Sequence, residues 1–266
     1  MDRIAACFEK AKKEDRAAFI AYLCAGDPDY DTSLAACRTM IADGTDLLEL
    51  GMPFSDPLAD GLTNQLAAER ALAAGMTQEK VFALAKTLRE KTDIPMIFYT
   101  YYNLVLAHGE EKFAYRCVES GIDGLLVLDQ PPEYAANMMA VCKKRGLKNV
   151  FIVAPTTPPE RVELIAKAAS GFIYYVSREG VTGERKELSP TIGPKVAEIR
   201  KHTSLPIAVG FGISKREHVH AVGKMADGAV VGSALVNCIG NVKGDRAEML
   251  ANLDKKAKDL IAGCKH

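Results

Sequence analysis

Eight short apolar runs recur along this chain, each pair separated by enough residues for a helix. They occupy residues 19–24, 47–50, 96–101, 125–128, 150–154, 172–176, 207–209 and 229–231. Between them, apolar positions repeat at helical spacing over 32–42, 79–89, 110–119, 133–144, 160–169, 192–201 and 215–225. Strands that alternate with amphipathic helices pair in parallel, because the helix supplies the long crossover that a parallel neighbour requires. Several helical segments open on Asp, Ser or Pro and close near Gly, as helix starts and stops do. Further helices fit residues 2–12, 62–74 and 245–262. Eight such units closing on themselves form a (β/α)₈ TIM barrel with extra helices at the N-terminus and in the connections. An open, doubly wound sheet is the other arrangement that the pattern permits. No linker or low-complexity tract divides residues 1–266, so one barrel domain is expected.

Charge excludes several function classes. Lys plus Arg and Asp plus Glu number 34 each, so no global field draws the chain to nucleic acid or to an anionic membrane. Any anionic ligand has to be held locally. The seven cysteines lack C-x-x-C spacing and sit in apolar patterns, which suits buried free thiols in a reducing compartment. The charged start, Met1-Asp2-Arg3-Ile4, is not secretory, and the first apolar run is too short to span a bilayer. A cytoplasmic location is expected.

In a barrel, chemistry sits at the C-terminal ends of the strands and in the loops beyond them. Glu49 interrupts the apolar run Leu47-Leu48-Glu49-Leu50 directly before Gly51. Burial there without a cationic partner raises the pKa of a carboxyl, so that it holds a proton near neutrality and can exchange it with a substrate. The other reading is a glutamate paired with a cation hidden in the barrel. The loop that follows, residues 51–61, is long for such a connection and contains Asp56 and Asp60. Asp56-Pro57 and Asp60-Gly61 are also ordinary turn pairs, so turn chemistry competes with a ligand role at both. Glycines cluster after strands six to eight: Gly183, Gly210 and Gly212 around Phe211, and Gly232-Ser233 before a helix at Ala234. Backbone amides at glycines approach anions closely, and a helix start adds partial positive charge, so together they suit a phosphate. Singly, each is a tight turn.

Absences narrow the reaction. No apolar run contains lysine, which leaves Schiff-base chemistry without an obvious nucleophile. His218 and His220 lie two apart on an expected helix, turned to different sides and away from a common metal, and are expected at the surface. No nucleotide-binding G-x-x-x-x-G-K-S/T run occurs. Carboxylate acid/base chemistry on a small phosphorylated molecule remains.

The run Leu48-Glu49-Leu50-Gly51-Met52-Pro53-Phe54-Ser55-Asp56-Pro57-Leu58-Ala59-Asp60-Gly61 resembles the signature of the tryptophan synthase alpha chain family. Ala25-Gly26-Asp27-Pro28, Tyr101-Tyr102-Asn103, Ala154-Pro155-Thr156-Thr157-Pro158, Val209-Gly210-Phe211-Gly212-Ile213 and Asp227-Gly228-Ala229-Val230-Val231-Gly232-Ser233-Ala234 join it. So do Ser177-Arg178 and Gly180-Val181-Thr182-Gly183. The likeness covers essentially the whole chain in order. It implies a lyase that splits indole-3-glycerol phosphate into indole and glyceraldehyde 3-phosphate for tryptophan biosynthesis. Glu49 then matches the general acid/base and Asp60 the group that hydrogen-bonds the indole nitrogen. Tyr22 and Phe211 match aromatic contacts to the ring, and Tyr174 a tyrosine that lies against the substrate, although it also reads as a barrel-filling aromatic. Thr182 and Gly183 match a mobile lid, and Gly183, Gly210, Gly212, Gly232 and Ser233 the phosphate cradle. Pro53, Asp56 and Asn103 fall on the surface that faces a beta chain in an alpha2-beta2 heterotetramer. The resemblance implies no cofactor in this chain, with pyridoxal phosphate on the partner beta chain. A stand-alone lyase and a non-catalytic regulatory partner of a beta chain are the alternatives.

The chain departs from that pattern at Ala21, Cys24, Leu62-Thr63-Asn64, Leu104, Leu128, Gln130, Glu179 and Glu184. These departures touch neither carboxylate. Apart from Ala21 and Cys24 in the first apolar run, they bear on the helix start after Asp60, the lid and the surface around Asn103, Leu104 and Asp129.

Overall fold

Each apolar run forms a strand, and in the computed structural model the eight strands close. The structure describes residues 2–177, 190–210, 212–242 and 244–265. The strands are β1 (Ala18–Cys24), β2 (Leu47–Gly51), β3 (Met96–Thr100), β4 (Gly124–Val127), β5 (Lys148–Val153), β6 (Ile173–Val176), β7 (Ile207–Gly210) and β8 (Gly228–Val231). Every neighbouring pair is parallel, and β8 pairs with β1, which excludes the open sheet.

Around the barrel lie α1 (Arg3–Lys13), α2 (Tyr30–Ala42), α3 (Leu62–Ala73), α4 (Gln78–Arg89), α5 (Tyr102–Leu106), α6 (Glu110–Glu119), α7 (Ala136–Arg145), α8 (Pro159–Ala168), α9 (Ile192–Arg200), α10 (Arg216–Gly223), α11 (Ser233–Gly240) and α12 (Arg246–Ile261). Side-chain caps fix four of these starts: Asp2, Asp29, Thr77 and Asp245 each accept from a backbone N–H three residues on. The segment expected as one helix over 133–144 divides. Pro131 and Pro132 open a 3₁₀ turn, Pro132–Tyr134, before α7 begins. Helix α5 was not expected; five residues are too few to display an apolar period.

Strand alternation combined with the register sets the inner face. Tyr22 lies opposite Glu49, Glu49 opposite Ile97, and Gly51 opposite Tyr99, so these side chains share the barrel interior. Tyr174 opposite Ala208, and Gly210 opposite Val230, continue it on the far side. The N-terminal end is plugged by α1, whose Phe8 ring lies 5.6 Å from that of Phe172.

The same end carries a device that repeats at every second strand. Asp46, Asp123, Ser170 and Asp227 stand just ahead of β2, β4, β6 and β8. Each donates its backbone N–H to the carbonyl of Phe19, Met96, Asn149 or Ile207 in the preceding strand segment, and its side chain accepts that residue's N–H at 2.7–2.9 Å. Arginines brace the three aspartates: Arg16 holds Asp46 through two bonds, at 2.6 and 2.8 Å, Arg89 holds Asp123 at 2.8 Å, and Arg200 pairs with Asp227. Stability is thereby invested at the face opposite the chemistry.

Two expectations need correction. Strand β5 begins at Lys148, so one strand does contain a lysine. It lies at the N-terminal end, where its Nζ pairs with Asp2 at 2.7 Å and is remote from the mouth. His218 is buried rather than at the surface, because α10 turns it inward, and the backbone N–H of Ser214 donates to its Nδ1 at 3.4 Å. His220 contacts the carbonyl of Lys265 at 2.8 Å through Nδ1.

Candidate active site

Strand β2 projects Glu49 into the barrel with no exposed surface. Among the described residues, neither of its carboxylate oxygens has a hydrogen-bond partner. An anion deprived of both water and donors is strongly disfavoured, so burial pushes its pKa up to about 8. Among the described residues, no cation pairs with it. The tyrosines Tyr22 and Tyr174 are near enough to feel its charge.

Asp60 lies where the long β2 connection meets α3, and it too is buried, at 4% exposure. Its surroundings differ. The hydroxyls of Tyr99 and Tyr101 donate to Oδ1 at 2.8 Å and to Oδ2 at 2.7 Å, and Asn64 Nδ2 donates to Oδ1 at 3.2 Å. Burial raises the pKa of Asp60, while these three donors pull it back. The Tyr101 hydroxyl also accepts the Ala59 N–H at 3.1 Å, and Gln65 Nε2 donates to the Asp60 carbonyl at 2.7 Å, so the loop is tied on both sides of the carboxylate. Helix α3 starts at Leu62 behind Gly61, without a side-chain cap. It is anchored instead by Arg70, which makes a two-pronged contact, at 2.7 and 2.8 Å, with the buried Asp27 beyond β1.

Two glycines make room for the tyrosines. A Cβ at Gly51 would lie 2.4 Å from the Tyr22 hydroxyl, and one at Gly210 would lie 2.4 Å from the Tyr174 hydroxyl. Tyr22 meets Tyr99 edge to face, with centroids 4.9 Å apart. Four tyrosines thus surround the two carboxyl groups: Tyr22, Tyr99, Tyr101 and Tyr174.

At the same end of the barrel, Gly210 ends β7, Gly212 follows with φ +72, and Gly232 caps α11, which starts at Ser233. Gly212, Gly232 and Ser233 are partly exposed, and the N–H groups of a helix start lack partners within the helix. Thr182, Gly183 and Phe211 lie outside the described residues, as do the departures Glu179 and Glu184. Of the surface residues, Asp56 and Asn103 are exposed and Pro53 is buried in the isolated chain.

Sequence reasoning missed Tyr99, gave Tyr101 no role, and set Asn64 among departures that touch neither carboxylate, whereas its amide bonds Asp60 Oδ1 because α3 begins only two residues after Asp60. The signal for Tyr99 was its alternation with Ile97 along β3, which puts both on the inner face. Among the described residues, no group of three or more His, Cys, Asp or Glu side chains is placed to hold a metal, and no helix is long and apolar enough to cross a membrane.

The family model described as "Tryptophan synthase alpha chain" matches residues 8–265. The chain belongs to the tryptophan synthase alpha chain family. It is 58% identical over 265 residues to the tryptophan synthase alpha chain of Opitutus terrae, covering all of both chains. A solved tryptophan synthase structure from Mycobacterium tuberculosis superimposes with a TM-score of 0.92 at 32% identity, covering 100% of this chain and 99% of that one. A chain of the Pyrococcus furiosus tryptophan synthase a2b2 complex superimposes at 0.86 with 40% identity, covering 93% of this chain and 98% of its own. The chain is accordingly a lyase of the alpha-reaction type, built on the barrel that its sequence pattern demands.

Proposed function

We propose that the whole chain is one catalytic domain that cleaves indole-3-glycerol phosphate through Glu49 and Asp60. The observation that carries this reading is the contrast between a buried glutamate without donors and a buried aspartate with three. Groups whose environments push their titrations apart are suited to separate acid and anion roles. Glu49, protonated at neutral pH, delivers its proton to ring carbon 3. Asp60, anionic, stabilises the positive charge that develops at the ring N–H. As the bond to the side chain breaks, its electron pair returns to the ring, and Glu49 takes the proton of the adjacent hydroxyl while the aldehyde forms. Glu49 ends the cycle protonated, as it began, and the products are indole and glyceraldehyde 3-phosphate.

Tyr22 and Tyr174 line the ring's binding site in this reading. Gly210, Gly212, Gly232 and Ser233 receive the phosphate. The likeness to a chain of an a2b2 complex supports a beta-chain partner, with Pro53, Asp56 and Asn103 at the contact and pyridoxal phosphate belonging to the partner. Leu58, 89% exposed between Asp56 and Asp60, adds apolar area that suits such a contact. A cytoplasmic setting fits the free thiols, six of whose seven side chains are buried.

The deciding experiment measures indole release from indole-3-glycerol phosphate by the purified chain, alone and with a beta chain. Activity that rises on adding the beta chain supports the assembly, and equal rates favour a stand-alone lyase. Loss of release in Glu49→Gln supports the acid/base role, and an unchanged rate refutes it.

A further inference from the structure

The two oxygens of Asp60 are not equivalent. A carboxylate oxygen offers two lone pairs. On Oδ1 both are used, by the Tyr99 hydroxyl at 2.8 Å and by Asn64 Nδ2 at 3.2 Å. On Oδ2 one is used, by the Tyr101 hydroxyl at 2.7 Å. One acceptor site therefore remains among the described residues, and it is on Oδ2.

Asn64 carries a second, independent sign of purpose. It is 5% exposed, and its Oδ1 has no hydrogen-bond partner. A carboxylate only accepts, so the amide must turn its NH₂ toward Asp60, which strands the carbonyl oxygen. A buried half-satisfied amide costs stability that an apolar residue at the same place would not. Position 64 lies one turn along from Asp60 on the same chain segment, so the Asn64 contact holds the carboxylate from the α3 side, while Tyr99 holds it from β3.

We infer that Tyr99 and Asn64 are positioning residues for the ring-nitrogen end of the reaction: by saturating Oδ1 they lock the carboxylate's rotation and leave Oδ2 as the oxygen that meets the indole N–H. This inference rests on the role given to Asp60 above. Rotation of a free carboxylate would spread that one acceptor over both oxygens; three fixed donors prevent it. The developing charge then meets an oxygen already in place, with no reorganisation during the step. Tyr99 performs a second task with its ring, which packs edge to face on Tyr22, so the hydroxyl and the ring have to be tested separately.

The test uses Tyr99→Phe, which keeps the ring and removes the donor, and Asn64→Leu, which removes the other Oδ1 donor. Two readouts are taken: the pH profile of kcat/KM for indole release, and the affinity for indole relative to indene, a ring of the same shape without the N–H. Tyr99→Phe is expected to lower kcat/KM by about tenfold, the cost of one hydrogen bond to a charged group. Its acid limb should move to higher pH, and its preference for indole over indene should shrink. Asn64→Leu should shift both readouts in the same direction, with a gain rather than a loss in thermal stability. A Tyr99→Phe chain with the parent's pH profile and the parent's ligand preference overturns the inference, as does equal weakening of both ligands. Asp60→Asn separates the levels: if it abolishes the indole preference while Tyr99→Phe and Asn64→Leu leave it intact, the positioning inference fails and the role of Asp60 stands. If Asp60→Asn keeps the preference, the role of Asp60 itself fails.

Discussion

Among the described residues, Glu49 has no hydrogen-bond donor on either carboxylate oxygen, whereas Asp60, at the same end of the barrel, has three. Both are buried, so desolvation opposes the charge on each. Donors decide the difference. Burial thus acts unopposed on Glu49, while on Asp60 three donors work against it, and that contrast is what an acid and a charge-stabilising partner respectively require.

The raised pKa of Glu49 makes stability depend on pH with a definite sign. Below the ordinary carboxyl value of 4.5, folded and unfolded chains both carry the proton. Between there and about 8 the unfolded state loses it and the native state keeps it, so stability falls as pH rises through that window and levels off above it. Glu49→Gln removes this contribution. In thermal unfolding its advantage over the parent should grow from pH 5 to pH 8 toward a ceiling on the order of 4 kcal/mol. An advantage that does not change with pH contradicts a protonated Glu49.

Asp60→Asn keeps the size of the side chain and removes its charge. Indole release should fall by about 10²–10³-fold, the usual loss when a group that stabilises transition-state charge is neutralised. Glyceraldehyde 3-phosphate should bind as before, because the phosphate end is not altered. Steady-state rates together with product affinity measured by calorimetry check this.

Gly210→Ala tests how closely the barrel fits Tyr174. Its methyl group would stand 2.4 Å from the Tyr174 hydroxyl and 2.9 Å from Cε1, at the end of a rigid ring. Overpacking of this kind costs about 1–3 kcal/mol, and the displaced ring would intrude on the substrate. Denaturant unfolding of Gly210→Ala, alone and combined with Tyr174→Phe, should show part of the loss recovered in the double variant.

At the other end of the barrel, Asp123→Ala should cost stability without touching chemistry. Asp123 accepts from Arg89 at 2.8 Å, from Arg3 at 3.0 Å and from the Met96 N–H at 2.9 Å, and each of these donors loses that acceptor. A loss of about 2–4 kcal/mol is expected, with kcat unchanged at temperatures where the variant is folded.

The barrel was legible because strand and helix periods alternate without interruption from Phe19 to Val231. Glu49 was legible for a related reason: one carboxylate in an apolar run is conspicuous. Asp60 was visible as an acid in a long loop, but its donors were not. Tyr99 comes from β3 and Tyr101 from the residue just beyond it, and only the pairing of β2 with β3 brings their hydroxyls to the carboxylate, while Asn64 reaches it from the first turn of α3. His218 misled because helical spacing states which face a residue shares and not what covers that face. The aspartates ahead of β2, β4 and β8 carried no signal of their role in the sequence, because their bonds to the preceding strand appear only once parallel neighbours are assigned.

The protonation state of Glu49 can be measured directly. A chain with ¹³C-labelled glutamate side-chain carboxyls, compared by NMR across pH 4 to 10 with Glu49→Gln to assign the resonance, should show the Glu49 carboxyl titrating near pH 8, well apart from the exposed glutamates. A resonance that titrates near 4.5 with the others would show Glu49 to be an ordinary anion at neutral pH and would contradict its role as the resting acid.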